Sequence, residues 1–151
     1  MANGATTSSD LGIALVRLAV GVVMVVHGIG KLFGVGPSAA PLGEFGGFLG
    51  SLGVPLPTLV ALGVALVETV GGLFVLAGFL TRYAAALFAA DMLAATLLVH
   101  LPRGFSVANG GYEFTLTLFL AALALVFLGS GSFSVDRAVL GREPVPSAVR
   151  R

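Results

Sequence analysis

Long apolar segments separated by short polar breaks dominate the chain. They run near residues 11–33, 58–80, 83–101 and 113–129. A helix needs about 20 residues to cross a bilayer, and the last segment, of about 17 residues, lies at the short end of the workable range. The pattern predicts an all-α fold, an integral membrane four-helix bundle within residues 11–136.

The breaks between these segments differ in length. A tight hairpin, "LTRY", joins the second segment to the third, whereas a Gly- and Pro-rich loop, residues 34–57, joins the first to the second. Leu42, Phe45, Leu49 and Leu52 follow each other at helical spacing in that loop. This spacing predicts a short interfacial helix, with a re-entrant segment as the alternative. Residues 1–10 are expected to form a disordered head and residues 137–151 a flexible cytoplasmic tail.

Composition agrees with a membrane location and excludes several kinds of activity. The chain is 57% hydrophobic and 10% charged, with a mean hydropathy of +1.05, whereas a soluble domain carries about 25% charged residues. A net charge of +1 provides no field for binding nucleic acid. Because cysteine is absent, thiol chemistry would have to come from a partner.

Basic residues predict how the chain is oriented. Positively charged side chains favour the cytoplasmic side of a membrane, and more of them flank one side of the bundle than the other. We therefore expect a multi-pass protein of the plasma membrane with both termini in the cytoplasm. The side assigned to the cytoplasm carries Arg82, Arg137, Arg142, Arg150 and Arg151, and the opposite side carries Lys31 and Arg103.

Three charged residues fall inside three different apolar segments. If the segments begin at the same depth, Arg17, Asp91 and Glu68 lie roughly 9, 12 and 18 Å from the cytoplasmic surface. Charges at such depths usually face the bundle interior and pair with each other. The sequence therefore predicts a buried ion-pair network of Arg17, Glu68 and Asp91. Its role stays open between structural pairing, a proton relay and a binding site for a polar head group.

A second polar layer is predicted near the outer surface. His27 and Lys31 are four residues apart in "VVHGIGKLFG" and project from one helix face, and His100 and Glu113 fall at similar depth. These four residues are candidate ligands for a quinone-like or lipid molecule. The alternatives are histidines satisfied at an interface, a snorkelling lysine and a glutamate favoured by a helix dipole. No metal site is predicted, because no helical H-x-x-x-H or E-x-x-H pair is present.

Several motifs, in order, resemble the DoxX family of small four-helix membrane proteins. They cover about residues 11–136 and comprise Arg17, "HGIGKLFG", "ETVGGLFVLAG" followed by "TRYAA", "GGYEFTL" and "GSGSFSVD". The resemblance implies association with membrane oxidoreductase complexes and oxidative-stress defence, and a related subunit belongs to a thiosulfate:quinone oxidoreductase. It directs attention first to Arg17, His27, Lys31, Glu68 and Glu113.

Together these features favour a membrane subunit that anchors a redox assembly and binds a quinone-like or lipid ligand. Quinone is the cofactor candidate, and membrane lipid and redox proteins are the expected partners. Whether the subunit is itself catalytic, and whether it forms a homo-oligomer, stays open. The alternatives are a small proton-coupled transporter built on the inner charges and a structural bundle with no activity of its own.

Overall fold

The computed structural model describes residues 8–141, in which helices are joined by turns and loops without any strand. This confirms the predicted all-α fold. The helices are α1 (Ser8–Phe33), α2 (Leu42–Ser51), α3 (Pro57–Ala77), α4 (Thr81–Arg103), α5 (Glu113–Leu128) and α6 (Val135–Leu140). Of these, α1, α3 and α4 are each long and apolar enough to cross a membrane. The 16 residues of α5 extend about 24 Å at a rise of about 1.5 Å per residue.

The observed helices lie close to the predicted segments, and the predicted short helix exists as α2. The span ends differ by up to three residues, and the predicted head and tail are shorter than expected. Residues 8–10, assigned to the head, form the first turn of α1, where the Asp10 side chain accepts a hydrogen bond from Ser132 N at 2.9 Å. Residues 137–140, assigned to the tail, complete α6, whose start is capped by the Ser134 side chain. The rest of the predicted head and tail, residues 1–7 and 142–151, lies outside the described residues.

Four helices form a closed ring in which α1 packs on α3, α3 on α4, α4 on α5 and α5 on α1. Neighbours in this order are antiparallel. One end of the ring, here called the loop end, carries α2 and residues 104–112. The other, the terminal end, carries the start of α1, the α3–α4 turn and α6.

Glycines allow α1 and α3 to approach closely. A Cβ atom on Gly21 would lie 2.6 Å from Leu76 Cγ, and one on Gly72 would lie 2.9 Å from Met24 Cβ. A Cβ on Gly28 would lie 2.5 Å from the backbone nitrogen of Thr69. In lipid the hydrophobic effect does not hold helices together, and small residues at such contacts stabilise the pair by allowing close van der Waals packing. The contacts also fix the height of α3 against α1.

Buried apolar side chains fill the middle of the ring and its terminal half. They include Val20 and Met24 of α1, Phe88 of α4 and Leu125 of α5, each at most 1% exposed. Towards the loop end this dense packing gives way to a cavity.

A candidate ligand cavity at the loop end

A cavity of about 250 Å³ lies between the helices at the loop end. Helices α1, α3, α4 and α5 form its sides, and α2 and the α4–α5 loop contribute further walls. Most of its lining is apolar. These apolar side chains are Val23, Phe45, Phe48, Val64, Phe88, Met92, Ala95, Val99, Val107, Phe114 and Leu118.

A buried ion pair forms part of the cavity wall. Lys31 Nζ lies 2.6 Å from Glu68 Oε2, and the two residues are 8% and 2% exposed. The ammonium also lies 5.0 Å from the centroid of the Phe45 ring, within the range of a cation–π interaction. Lys31 is thereby held at the cavity wall by α3 on one side and α2 on the other.

Asp91 supplies a second carboxyl group to the cavity wall. Its Oδ2 atom is buried and has no hydrogen-bond partner among the described residues. A buried polar atom without a partner is costly and calls for an explanation. An acceptor left unsatisfied beside a cavity is suited to a ligand that donates a hydrogen bond.

Both predicted histidines also line the cavity. His27 Nε2 lies 3.3 Å from the Ser38 hydroxyl. His100 Nδ1 lies 2.6 Å from the carbonyl oxygen of Gly110. Because a carbonyl can only accept, Nδ1 donates in this bond, and Nε2 is the ring nitrogen left for another partner.

Two short π-helical segments occur at the level of the cavity. Val67–Gly71 carries Glu68, and Thr96–His100 carries His100. Each contains a threonine whose hydroxyl donates to the carbonyl four residues earlier, Thr69 to Ala65 at 2.8 Å and Thr96 to Met92 at 2.7 Å. Single π turns inside α-helices are frequent at functional sites. Here both place a polar cavity residue on a widened turn.

Glu113 has a different place from the one expected. It is absent from the cavity lining, and its Oε1 accepts a hydrogen bond from the backbone nitrogen of Val107. Val107 does line the cavity. Glu113 therefore braces the α4–α5 loop, whereas His27, Lys31 and His100 all line the cavity; that they bind a ligand stays a prediction.

Arg17 does not join Glu68 and Asp91. Its guanidinium lies at the terminal end, where Nε donates to Val75 O at 2.8 Å, Nη2 to Leu76 O at 2.6 Å and Nη1 to the carbonyls of Ser130 and Phe133. Glu68 and Thr69 of α3 pack against Gly28 of α1. Gly28 follows Arg17 by eleven residues, so Glu68 lies about 16 Å from Arg17 along the axis of α1.

The misplacement has a physical cause in the ends of the helices. The prediction placed the starts of all four spans at one depth. In the structure, Gly78 of the α3–α4 turn lies against the Arg17 guanidinium, so this turn is level with Arg17 and not with the start of α1. α1 therefore extends nine residues, about 13 Å, past the α3–α4 turn. In addition, lysine side chains tilt back along their helix, so the Lys31 ammonium reaches the carboxylate that had been assigned to Arg17.

Some residues of the cavity and the terminal end carried no clear signal in the sequence. Phe45 and Phe48 line the cavity from α2, although the spacing that included Phe45 predicted only a short interfacial helix and Phe48 was not singled out. Arg82, read as a marker of orientation, donates to the last carbonyls of α5, Val126 O at 2.6 Å and Phe127 O at 2.8 Å. Asp136 is fully buried and accepts from Leu80 N at 3.2 Å.

Comparison with known proteins agrees with the helical membrane architecture. The family model described as DoxX matches residues 12–101. The chain is 32% identical to "Putative oxidoreductase CatD" of Bacillus subtilis, covering 85% of this chain and 87% of that protein. It is 33% identical to an uncharacterized membrane protein of Mycobacterium tuberculosis, covering 84% and 80%. It is 29% identical to the inner membrane protein YqjF of Escherichia coli, covering 85% and 92%. No solved structure matches the chain.

Proposed function

The chain belongs to the DoxX family of membrane proteins, and from that premise we propose that it is a plasma-membrane subunit of a redox assembly whose cavity binds a quinone-like ring. The observation that carries the proposal is the makeup of the cavity: a largely apolar wall with one ammonium, two carboxyl groups and two imidazoles. Ligand sites typically combine an apolar lining with a few convergent polar groups.

The polar groups fit the two faces of such a ligand. The Lys31 ammonium has three donors, of which Glu68 takes one, so it can also donate to a ring carbonyl oxygen. The unpartnered Asp91 Oδ2 can accept from a hydroxyl of the reduced, quinol form of the ring. When bound, a quinone would supply two-electron carriage between partner proteins. This chain's own residues would bind and orient the ring.

A redox role is supported by the name of the Bacillus subtilis relative and by the family resemblance. Because this chain has no cysteine, any thiol chemistry of the assembly would belong to a partner protein. The subunit's own contribution would then be the ligand site in the membrane.

The test is recovery of the ligand from purified protein. The full chain would be extracted in a mild detergent, and bound lipophilic molecules identified by mass spectrometry after solvent extraction. We expect a quinone in the wild type and its loss in Lys31→Met and Asp91→Asn. Glu44→Gln is the matched control, because Glu44 is exposed and outside the cavity. Recovery of a phospholipid instead, or equal recovery from all variants, would contradict the proposal.

A proton-coupled carrier is the second candidate, and the unpartnered Asp91 carboxyl favours it. Ionisable groups within spanning helices often mark proton or substrate pathways. In proteoliposomes this function predicts a proton flux that Glu68→Gln and Asp91→Asn abolish and Glu44→Gln preserves. If both cavity variants lowered only the stability of the protein, the bundle would be structural.

A further inference from the structure

Part of the cavity wall is also part of the outer surface of the bundle. Phe48, Val107 and Phe114 line the cavity and are 37%, 56% and 43% exposed. They come from three different segments, α2, the α4–α5 loop and the first turn of α5. They are the exposed members of the cavity lining, so the cavity reaches the outer surface of the bundle at these side chains.

The rim that these side chains form is apolar. Two phenylalanines and a valine contribute no hydrogen-bonding group to it, and an exposed apolar rim of this kind marks a contact with a membrane or another apolar partner. In a chain with three helices able to span a membrane, such an apolar rim is suited to contact with lipid.

The size of the cavity limits what can lie inside it. Its volume of about 250 Å³ is below the range of about 300–1,000 Å³ usual for sites that enclose a small molecule. A single ring with its substituents fits this space, whereas a ring and a long hydrocarbon chain together exceed it. A tailed ligand would have to leave its tail outside.

Charge limits the head of the ligand. One lysine faces two carboxyl groups at the wall, and Glu68 already takes the lysine as its partner. The cavity therefore provides no free positive charge to match a phosphate or carboxylate head. An anionic head would therefore be buried without a counter-charge, which is costly, whereas an uncharged polar ring avoids this cost.

We infer that the opening formed by Phe48, Val107 and Phe114 is a lateral portal, through which the cavity takes the uncharged, ring-sized head of an amphiphile whose long apolar tail stays in the bilayer. This inference rests on the proposed function and adds to it a class of ligand and a route of entry. It requires that the tail, and not the head, contact the portal.

Two probes separate tail from head: a benzoquinone ring carrying a decyl chain, and the same ring carrying a methyl group instead. Binding of both would be measured to full-length protein in nanodiscs. Phe114→Trp narrows the portal and is expected to weaken the decyl probe about tenfold more than the methyl probe, the size of a moderate overpacking penalty. Phe127→Trp is the matched control, since Phe127 lies on the same helix, is exposed and does not line the cavity.

A second measurement maps the tail directly. A diazirine near the ring end of the decyl chain should crosslink to Phe48, Val107 or Phe114 on illumination. Phe48→Trp provides an independent narrowing of the portal in case Phe114→Trp does not fold, which circular dichroism would reveal.

The outcomes distinguish the portal from the site. Equal effects of Phe114→Trp on both probes, or crosslinks confined to other residues, would overturn the portal while leaving the ring site intact. If the methyl probe failed to bind the wild type, or bound Lys31→Met equally well, the proposed function would fail and the portal with it.

Discussion

Lys31 and Glu68 depend on each other, because each would be a lone buried charge without its partner. Removing one partner of a buried pair costs about 3–5 kcal/mol, whereas replacing both with apolar or neutral groups is often neutral. We therefore predict that Lys31→Met and Glu68→Gln each lower stability strongly and that the double variant regains most of the loss. Circular dichroism during an unfolding titration measures this, since the chain has no tryptophan. Additive losses in the double variant would argue against the pair.

Replacing Asp91 should not lower the stability of the protein as replacing Lys31 or Glu68 does. Its Oδ2 is buried without a partner, and burying an ionised carboxylate costs more than burying a neutral amide. Asp91→Asn removes the charge and keeps the shape. We expect an unchanged or higher unfolding midpoint by the same assay, together with loss of the bound ring. A midpoint that falls as far as in Glu68→Gln would make Asp91 a structural residue.

Arg17 ties segments of the chain together at the terminal end. Within residues 8–141 its guanidinium donates to carbonyls of two segments, Val75 and Leu76 near the end of α3 and Ser130 and Phe133 in the turn before α6. These include carbonyls that the end of a helix leaves unsatisfied. Hydrogen bonds to a charged group contribute about 1.5–3 kcal/mol each. A lysine cannot reproduce the planar fork.

We predict that Arg17→Lys lowers the free energy of unfolding by about 3 kcal/mol, the equivalent of one or two such bonds. The folded fraction should keep its bound ligand at the same stoichiometry, because the cavity lies at the opposite end of the bundle. Ligand recovery per folded protein, measured beside the unfolding titration, checks both parts. Loss of ligand without loss of stability would indicate that Arg17 contributes to ligand binding.

The π turn that carries Glu68 makes a further prediction. A π turn holds one residue more than an α turn, so deleting the exposed Val70 should let α3 close as a regular helix with its faces preserved. We expect retained helicity but loss of ligand, since Glu68 is reoriented. Deleting the exposed Leu62, in the regular part of α3, is the control; it should rotate one half of the helix by about 100° and destroy the fold. Equal damage from both deletions would contradict this interpretation.

The sequence predicted the fold better than the site, because it does not record how the helices are placed in height against each other. Apolar segments of helical length indicate spans regardless of their neighbours, and the short helix α2 followed from the spacing of Phe45 and Leu49. The pairing of charges depends instead on the relative heights of the helices. Those heights follow from glycine contacts such as Gly28 with Thr69 and from the overhang of α1, and no single segment records them.

The closed ring of four antiparallel helices places both ends of the described chain together. At the terminal end, the Asp10 side chain accepts from the backbone of Ser132, and α6 packs back through Asp136 N, which donates to Gly78 O at 3.1 Å. The cavity and its portal lie at the other end. The orientation of the whole molecule thus decides from which half of the membrane a ligand enters.

We predict that the terminal end faces the cytoplasm. The sequence assigns five basic residues to that side of the membrane and two to the opposite side, and basic residues are retained on the cytoplasmic side during insertion. Alkaline phosphatase, active only outside the cytoplasm, should be inactive when fused to either terminus and active when inserted after the exposed Ala108. A green fluorescent protein at the C-terminus should fluoresce. The reverse pattern would place the cavity in the cytoplasmic half of the bilayer, and the ring of its ligand would then have to be drawn from the inner leaflet.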